Sequence, residues 1–155
     1  MGAKTEAHDA KRKDGFIQSY SLAATTSIFK GALVFINSAG FLYSNDGTIN
    51  TLANWDKFAG VAVESADNSG WSDADIATRV DRTGSFILSI TDAVTQANVW
   101  DAVLVNNVTD DAAVTITSDS GNPQATVWII LEVITSSLVR VAINGNVWNI
   151  AANGA

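Results

Sequence analysis

The 155-residue chain has no cysteine, one proline, one methionine and one histidine. Without cysteine there are neither disulfides nor thiolate metal sites, so stability has to come from a packed core. With His8 as the only histidine, zinc would have to be held by carboxylates, an uncommon donor set. Nucleophilic catalysis needs a nucleophile, a positioned base and usually an orienting group. His8 lies in a stretch without hydrophobic period and is poorly placed as a base. Neither G-x-x-x-x-G-K nor G-x-G-x-x-G occurs, so no phosphate-cradling loop is expected. The longest apolar run, Val127 to Ile134, is interrupted by Glu132 and is far too short to cross a bilayer. Met1 to Glu6 lacks the apolar segment of a secretory signal, and Glu6 stands where a myristoylation motif has Ser or Thr. The sequence points to no enzyme and no cofactor.

What is present is apolar material, at 47% of the residues, enough for a core in a chain of this length. The formal net charge is −7. Residues 1–14 set Lys4, Lys11, Arg12 and Lys13 against Glu6, Asp9 and Asp14, a balance of +1 that leaves −8 on the rest. A body that acidic repels nucleic acid and anionic membranes. Residues 1–15 read as a flexible N-terminal arm and residues 16–155 as a single β domain.

From Phe16 onward the pattern is one of short strands. The spacing predicts them at Phe16–Leu22, Ala32–Ile36, Gly40–Tyr43, Phe58–Glu64, Ile76–Arg82 and Ser85–Ile90. Further strands are predicted at Val99–Val105, Ala113–Thr117, Thr126–Ile134, Leu138–Ile143 and Val147–Ile150. Asn37-Ser38-Ala39 reads as a hairpin turn and Asn144-Gly145 as a tight one. Thr51–Asp56 and Asp92–Asn98 could each form a helical turn. About ten short strands with regular turns predict an all-β fold, a compact barrel or sandwich. Ala32–Asn37 lines up with Ala102–Asn107 at an offset of 70 (102 − 32), and Arg79-Val80 with Arg140-Val141 at 61 (140 − 79). Either the chain holds two related β-units around one core, with the Asp67–Asp73 stretch as the longer loop of the first, or its strands share vocabulary by chance.

Candidate chemistry is sparse. Asp73/Asp75 and Asp110/Asp111 sit in polar, turn-like stretches, where Asp caps local backbone better than it builds an acid–base pair. Asp67–Asp75 has oxygen donors but not the spacing of an EF-hand calcium loop, so no metal is assigned. Trp128, in the most apolar strand, is expected in the core. Trp55 and Trp71 lie in loops and are candidates for a subunit contact or a sugar-stacking platform. Arg79 and Arg140 alternate away from Val80 and Val141 and should pair with carboxylates on neighbouring strands or subunits, and Arg82 joins them as a candidate contact. The arm, with Lys11, Arg12 and Lys13 leading to Phe16, could lie along a partner.

Several segments in order carry a resemblance: Lys30-Gly31-Ala32-Leu33-Val34, Gly40-Phe41-Leu42-Tyr43, Phe58–Glu64, Asp67-Asn68-Ser69, Arg79–Phe86 and Asp101-Ala102-Val103. Together, over roughly Ser19 to Asn146, they are similar to the small capsid decoration (cement, or head-stabilising) proteins of tailed bacteriophages. That resemblance implies a non-enzymatic structural protein of the virion, on the outer capsid surface. Its partner would be the major capsid protein, engaged as a homo-trimer at three-fold and quasi-three-fold positions. Lys11, Arg12, Lys13, Phe16, Trp55, Trp71, Arg79 and Arg82 are then the candidate capsid or subunit contacts. The basic stretch before Asp14 departs from the family pattern. The other function open to the sequence is a carbohydrate- or receptor-binding β-domain of a fibre or extracellular protein, using Trp55 and Trp71.

Overall fold

Short runs of β-branched and aromatic residues, each closed by a turn, fold as strands throughout a computed structural model that describes residues 17–45, 52–53, 56–106, 113–118, 121 and 123–145. The strands are β1 (Ile17–Ser21), β2 (Thr26–Ile28), β3 (Leu33–Ile36), β4 (Leu42–Ser44), β5 (Lys57–Ala62) and β6 (Ala66–Asn68). They continue as β7 (Ala77–Asp81), β8 (Thr83–Ile90), β9 (Ala102–Asn106), β10 (Ala113–Val114), β11 (Gln124–Thr135) and β12 (Leu138–Asn144). Among the described residues the only helical element is a 3-10 turn at Gln96–Asn98. The fold is all-β.

The strands form two five-stranded sheets, ordered β1-β7-β5-β3-β4 and β10-β8-β12-β11-β9, plus a β2-β6 ribbon. A parallel bridge from Leu22 to Leu42 joins the two ends of the first sheet, and an antiparallel bridge from Leu104 to Thr115 joins those of the second. Each sheet thus curls back on itself, barrel-like. Closure leaves few unpaired edges, which is how small all-β units avoid edge-to-edge association. The chain passes from β7 to β8 across Arg82 alone, so Thr83-Gly84 is part of a strand and the two flanking strands belong to different sheets.

The two sheets are copies of one unit. Strand order matches when β1, β3, β4, β5 and β7 are laid on β8, β9, β10, β11 and β12. The backbone hydrogen bonds match as well. Leu22 N–H donates to Ile76 O (2.8 Å) as Ile90 N–H does to Ser137 O (3.0 Å), and Ala23 N–H to Leu42 O (2.8 Å) as Thr91 N–H to Val114 O (3.0 Å). Gly31 N–H donates to Ala62 O and Ala62 N–H to Ala32 O, as Trp100 does to Ile130 and Ile130 to Asp101. These pairs put Gly31 on Trp100, an offset of 69 (100 − 31), rather than the 70 read from sequence. β3 is buried on both faces, so no polar alternation marks its register there, and a one-residue slip goes unnoticed. The offset falls from 68 at Ala62/Ile130 to 61 at Ile76/Ser137, so the β5–β7 connection is seven residues longer than its β11–β12 counterpart (68 − 61). The excess lies where the Asp67–Asp73 stretch was expected to hold it, although Ala66–Asn68 is a short strand there and not loop.

The core follows from this arrangement. Leu22, Val34, Leu42, Ala62 and Val80 cluster inside the first unit. The opposite face of the same sheet carries Leu33, Phe35, Tyr43, Phe58 and Val61, in one continuous cluster with Val103, Val105, Val127, Ile130 and Val141 of the second unit. The copies therefore dock asymmetrically, the outer face of the first packing on the second. Beside this cluster Tyr43 donates a 2.6 Å hydrogen bond to Asp56, whose carboxylate also accepts from Ala53 N–H. Burial raises the Asp56 pKa above the ordinary carboxylate range and, with the adjoining carboxylate, raises that of Tyr43. A carboxyl with a raised folded-state pKa contributes stability that is complete below its unfolded value and is lost as pH rises through the folded one. Asp56→Asn should therefore gain on the wild type as pH increases from 4 to 8. Urea midpoints of the two proteins that stay parallel over that interval would contradict this.

Candidate interaction surface

The seven-residue excess of the first unit presents Trp71, which is 62% exposed. Its connection is held stiffly. Asn68, fully buried, donates through Nδ2 to Ala23 O (2.8 Å) and Ser72 O (3.0 Å). Asp73 accepts from Ala24 N–H at 2.7 Å, Asp75 from Ser72 N–H at 3.0 Å, and Ala74 N–H donates to Leu22 O at 2.9 Å. Two non-glycine residues here have left-handed backbone, Thr25 (φ 55°) and Ala74 (φ 67°). Such conformations persist only where the surroundings over-determine them, and they cluster at functional loops. Trp71, Asp75 and Ile76 line an open depression of about 370 Å³.

The acidic residues of this loop work as turn formers. Asp67 accepts from Ser69 N–H (2.9 Å) and Ser27 Oγ (2.9 Å), and hydrogen bonding from Ser69 above all, then from Ser27, holds its carboxyl below the ordinary range. Asp73 and Asp75 likewise spend an oxygen each on backbone N–H groups. Among the described residues no three acidic or histidine side chains come together in a way that could hold a metal ion.

The other sequence-selected residues lie elsewhere. Arg79, on β7, reaches Glu64 with Nε–Oε1 at 3.2 Å and Nη2–Oε2 at 3.1 Å, and these bonds hold Glu64 below the usual carboxylate range. The second unit repeats the pair: Arg140 Nε meets Glu132 Oε2 at 3.0 Å, at the same 61- and 68-residue offsets. Arg79 thus makes the intramolecular pair that strand alternation suggested. Arg82 stands at the junction of the units, half-buried, its carbonyl accepting from Gly145 N–H at 2.7 Å. Trp71, Arg79 and Arg82 occupy three different places in the fold and form no single site. Lys11, Arg12, Lys13, Phe16 and Trp55 lie outside the described residues, as do Asp110 and Asp111, the flexible arm and the Val147–Ile150 strand. Trp128, expected in the core, is 38% exposed, because β11 bulges between Thr126 and Trp128 and breaks the alternation that would have turned it inward.

Sequence reading missed several exposed apolar residues, Phe29, Ile87 and Trp100 being the most exposed of them. Ile87 had a signal, being the one apolar residue on the Ser85–Ser89 face of its strand. Trp100 had none, since its left-handed backbone (φ 79°) cannot be read from neighbouring residues.

Against this geometry, comparison with protein-family models, with curated proteins and with solved structures finds no match. No helix among the described residues is long and apolar enough to cross a membrane.

Proposed function

We propose that the chain is a structural capsid decoration protein, which binds the outer surface of a tailed-phage head and stabilises contacts between capsomers without catalysis. The observation that carries this reading is the Trp71 loop, a rigid insertion in one of two otherwise equivalent units that holds a large apolar side chain in solvent. Pre-ordered tryptophans dominate protein–protein contacts because they bury much area and lose little conformational entropy on binding. The ordered sequence segments that resemble decoration proteins supply the phage-head context, and the acidic body suits a surface that must not compete for packaged DNA. The major capsid protein is the partner in this reading. A homo-trimer at three-fold and quasi-three-fold positions would multiply modest contacts into high occupancy.

Co-sedimentation with expanded heads of the phage that encodes the chain tests this. Saturable binding is expected, with Trp71→Ala weakening it at least about 10-fold, as for a central aromatic contact worth roughly 2 kcal/mol. Removal of residues 1–15 should weaken it further if the arm contributes. A chain left in the supernatant at micromolar concentration refutes the proposal.

A second reading is favoured by the Trp71–Asp75–Ile76 depression, which joins an aromatic platform to a carboxylate as sugar-binding sites do. Quenching of tryptophan emission by oligosaccharides, absent in Trp71→Ala, would support a carbohydrate-binding domain in place of decoration.

A further inference from the structure

The Trp71 loop carries more than an apolar side chain. Trp71, Asp75 and Ile76 line one open depression. The turn beneath it is closed in both directions: Ser72 N–H donates to Asp75 Oδ2 at 3.0 Å, and Asp75 N–H donates to Ser72 O at 3.4 Å. Indole and carboxylate therefore sit on a single stiff turn. Asp75 is exposed, and its Oδ1 has no partner among the described residues. The stretch Ser65–Ile76 holds Asp67, Asp73 and Asp75 and neither lysine nor arginine. Arg79, the next cation along the chain, is taken up by Glu64.

This set of groups discriminates among ligands. Sugar sites fix hydroxyls with several convergent polar groups. The described lining here offers one carboxylate and no side-chain amide or hydroxyl. The loop's other polar groups are engaged by backbone: the Asn68 amide by Ala23 O and Ser72 O, and Asp73 by Ala24 N–H. An ammonium has no plane to lay on an indole and is more strongly hydrated than a guanidinium. A guanidinium side chain meets all three lining residues at once. Its plane stacks on the indole, its N–H groups reach the free carboxylate oxygen, and its apolar stem lies on Ile76.

We propose that this depression seats an arginine side chain of the major capsid protein. The inference rests on the reading in which the Trp71 loop meets the shell, and it names the chemistry of the partner there. The acidic body favours a basic partner surface, since complementary charge steers encounter and fixes register. Among this chain's own arginines, Arg79 and Arg140 are paired with Glu64 and Glu132, and Arg82 is half-buried at the junction of the units. Arg12 is the remaining source within the chain.

The test titrates the full chain with N-acetyl-arginine amide and follows the Trp71 indole N–H resonance, which Trp71→Phe identifies by its loss. Saturable shifts are expected in the range of about 10–100 mM. They should be absent with the uncharged isostere N-acetyl-citrulline amide and at least about 5-fold weaker in Asp75→Asn, whose amide oxygen can still accept from Ser72 N–H. In head co-sedimentation Asp75→Asn should bind at least about 5-fold more weakly, with a flatter salt dependence and unchanged circular dichroism. Equal shifts with the arginine and citrulline amides, or an Asp75→Asn chain that binds heads like the wild type, overturn the inference. An arginine response that appears only after removal of residues 1–15 makes Arg12 the occupant and overturns the capsid protein as the source. The two ideas fail separately. Heads bound through Trp71 but indifferent to Asp75 and salt keep decoration and remove the arginine seat. An arginine response in a chain that ignores heads leaves the guanidinium site standing and removes decoration, and with it the capsid protein as the source.

Discussion

Phe35→Ala should remove about 3–5 kcal/mol of stability, a large part of the roughly 5–15 kcal/mol that holds a domain of this size together. Phe35 is fully buried, with its ring centroid 5.9 Å from both the Tyr43 ring and the Phe58 ring. It belongs to the cluster in which the outer face of the first unit meets the interior of the second, so truncation opens a cavity at the junction of the units. The surroundings are strands tied on several sides, which leaves little room for collapse around the gap. The loss should appear in urea unfolding as a lower midpoint in a single transition, since both units share that cluster. A drop below about 1 kcal/mol, or two separated transitions, would mean that the units are stabilised independently.

Gly60→Ala is the second large effect. Gly60 has φ 147°, and a Cβ built there would run into the Asp81 carbonyl and crowd Val80 Cγ1. β5 is bulged beside it, since the adjacent Val34 and Phe35 pair with Gly60 and Phe58 and skip Ala59, and the β5–β7 pairing begins at the next residue, Val61 opposite Asp81. The obstruction is backbone in a sheet, which cannot swing aside as a side chain can. The cost combines left-handed strain of about 1–2 kcal/mol with displacement of the β5–β7 ladder, so about 3 kcal/mol or more is expected. Gly40→Ala isolates the first component. Gly40 has φ 91° with open space around it, so that change should cost only about 1–2 kcal/mol. Thermal unfolding of the pair checks this, and equal losses would show that close packing at Gly60 contributes nothing.

Much of the fold was legible because periodicity of two survives wherever one strand face is wet. β12 alternates buried and half-buried residues from Leu138 to Asn144, and its start and the outward turn of Arg140 follow from that, while its end runs one residue past the predicted Ile143. The duplication was also visible, through Arg79-Val80 and Arg140-Val141. Its register at β3 was not, because a strand buried on both faces carries no alternation. β2 and β6 escaped notice because three-residue strands rich in Ser, Asp and Asn look like turns. At the candidate surface, Trp71 stood out as a tryptophan among turn residues. Trp100 and Trp128 did not reveal their exposure, which depends on a left-handed residue in one case and a bulge in the other. Both are settled by long-range hydrogen bonds rather than by neighbours in sequence.

The most direct test of a role in head stabilisation is DNA release from heated heads, followed with an intercalating dye. Heads saturated with the chain are compared with the same heads stripped of it. Saturated heads are expected to release DNA at a temperature several degrees higher, with the shift reduced for Trp71→Ala at equal total concentration. Identical release curves, with the chain demonstrably bound, would contradict a stabilising function and leave only attachment.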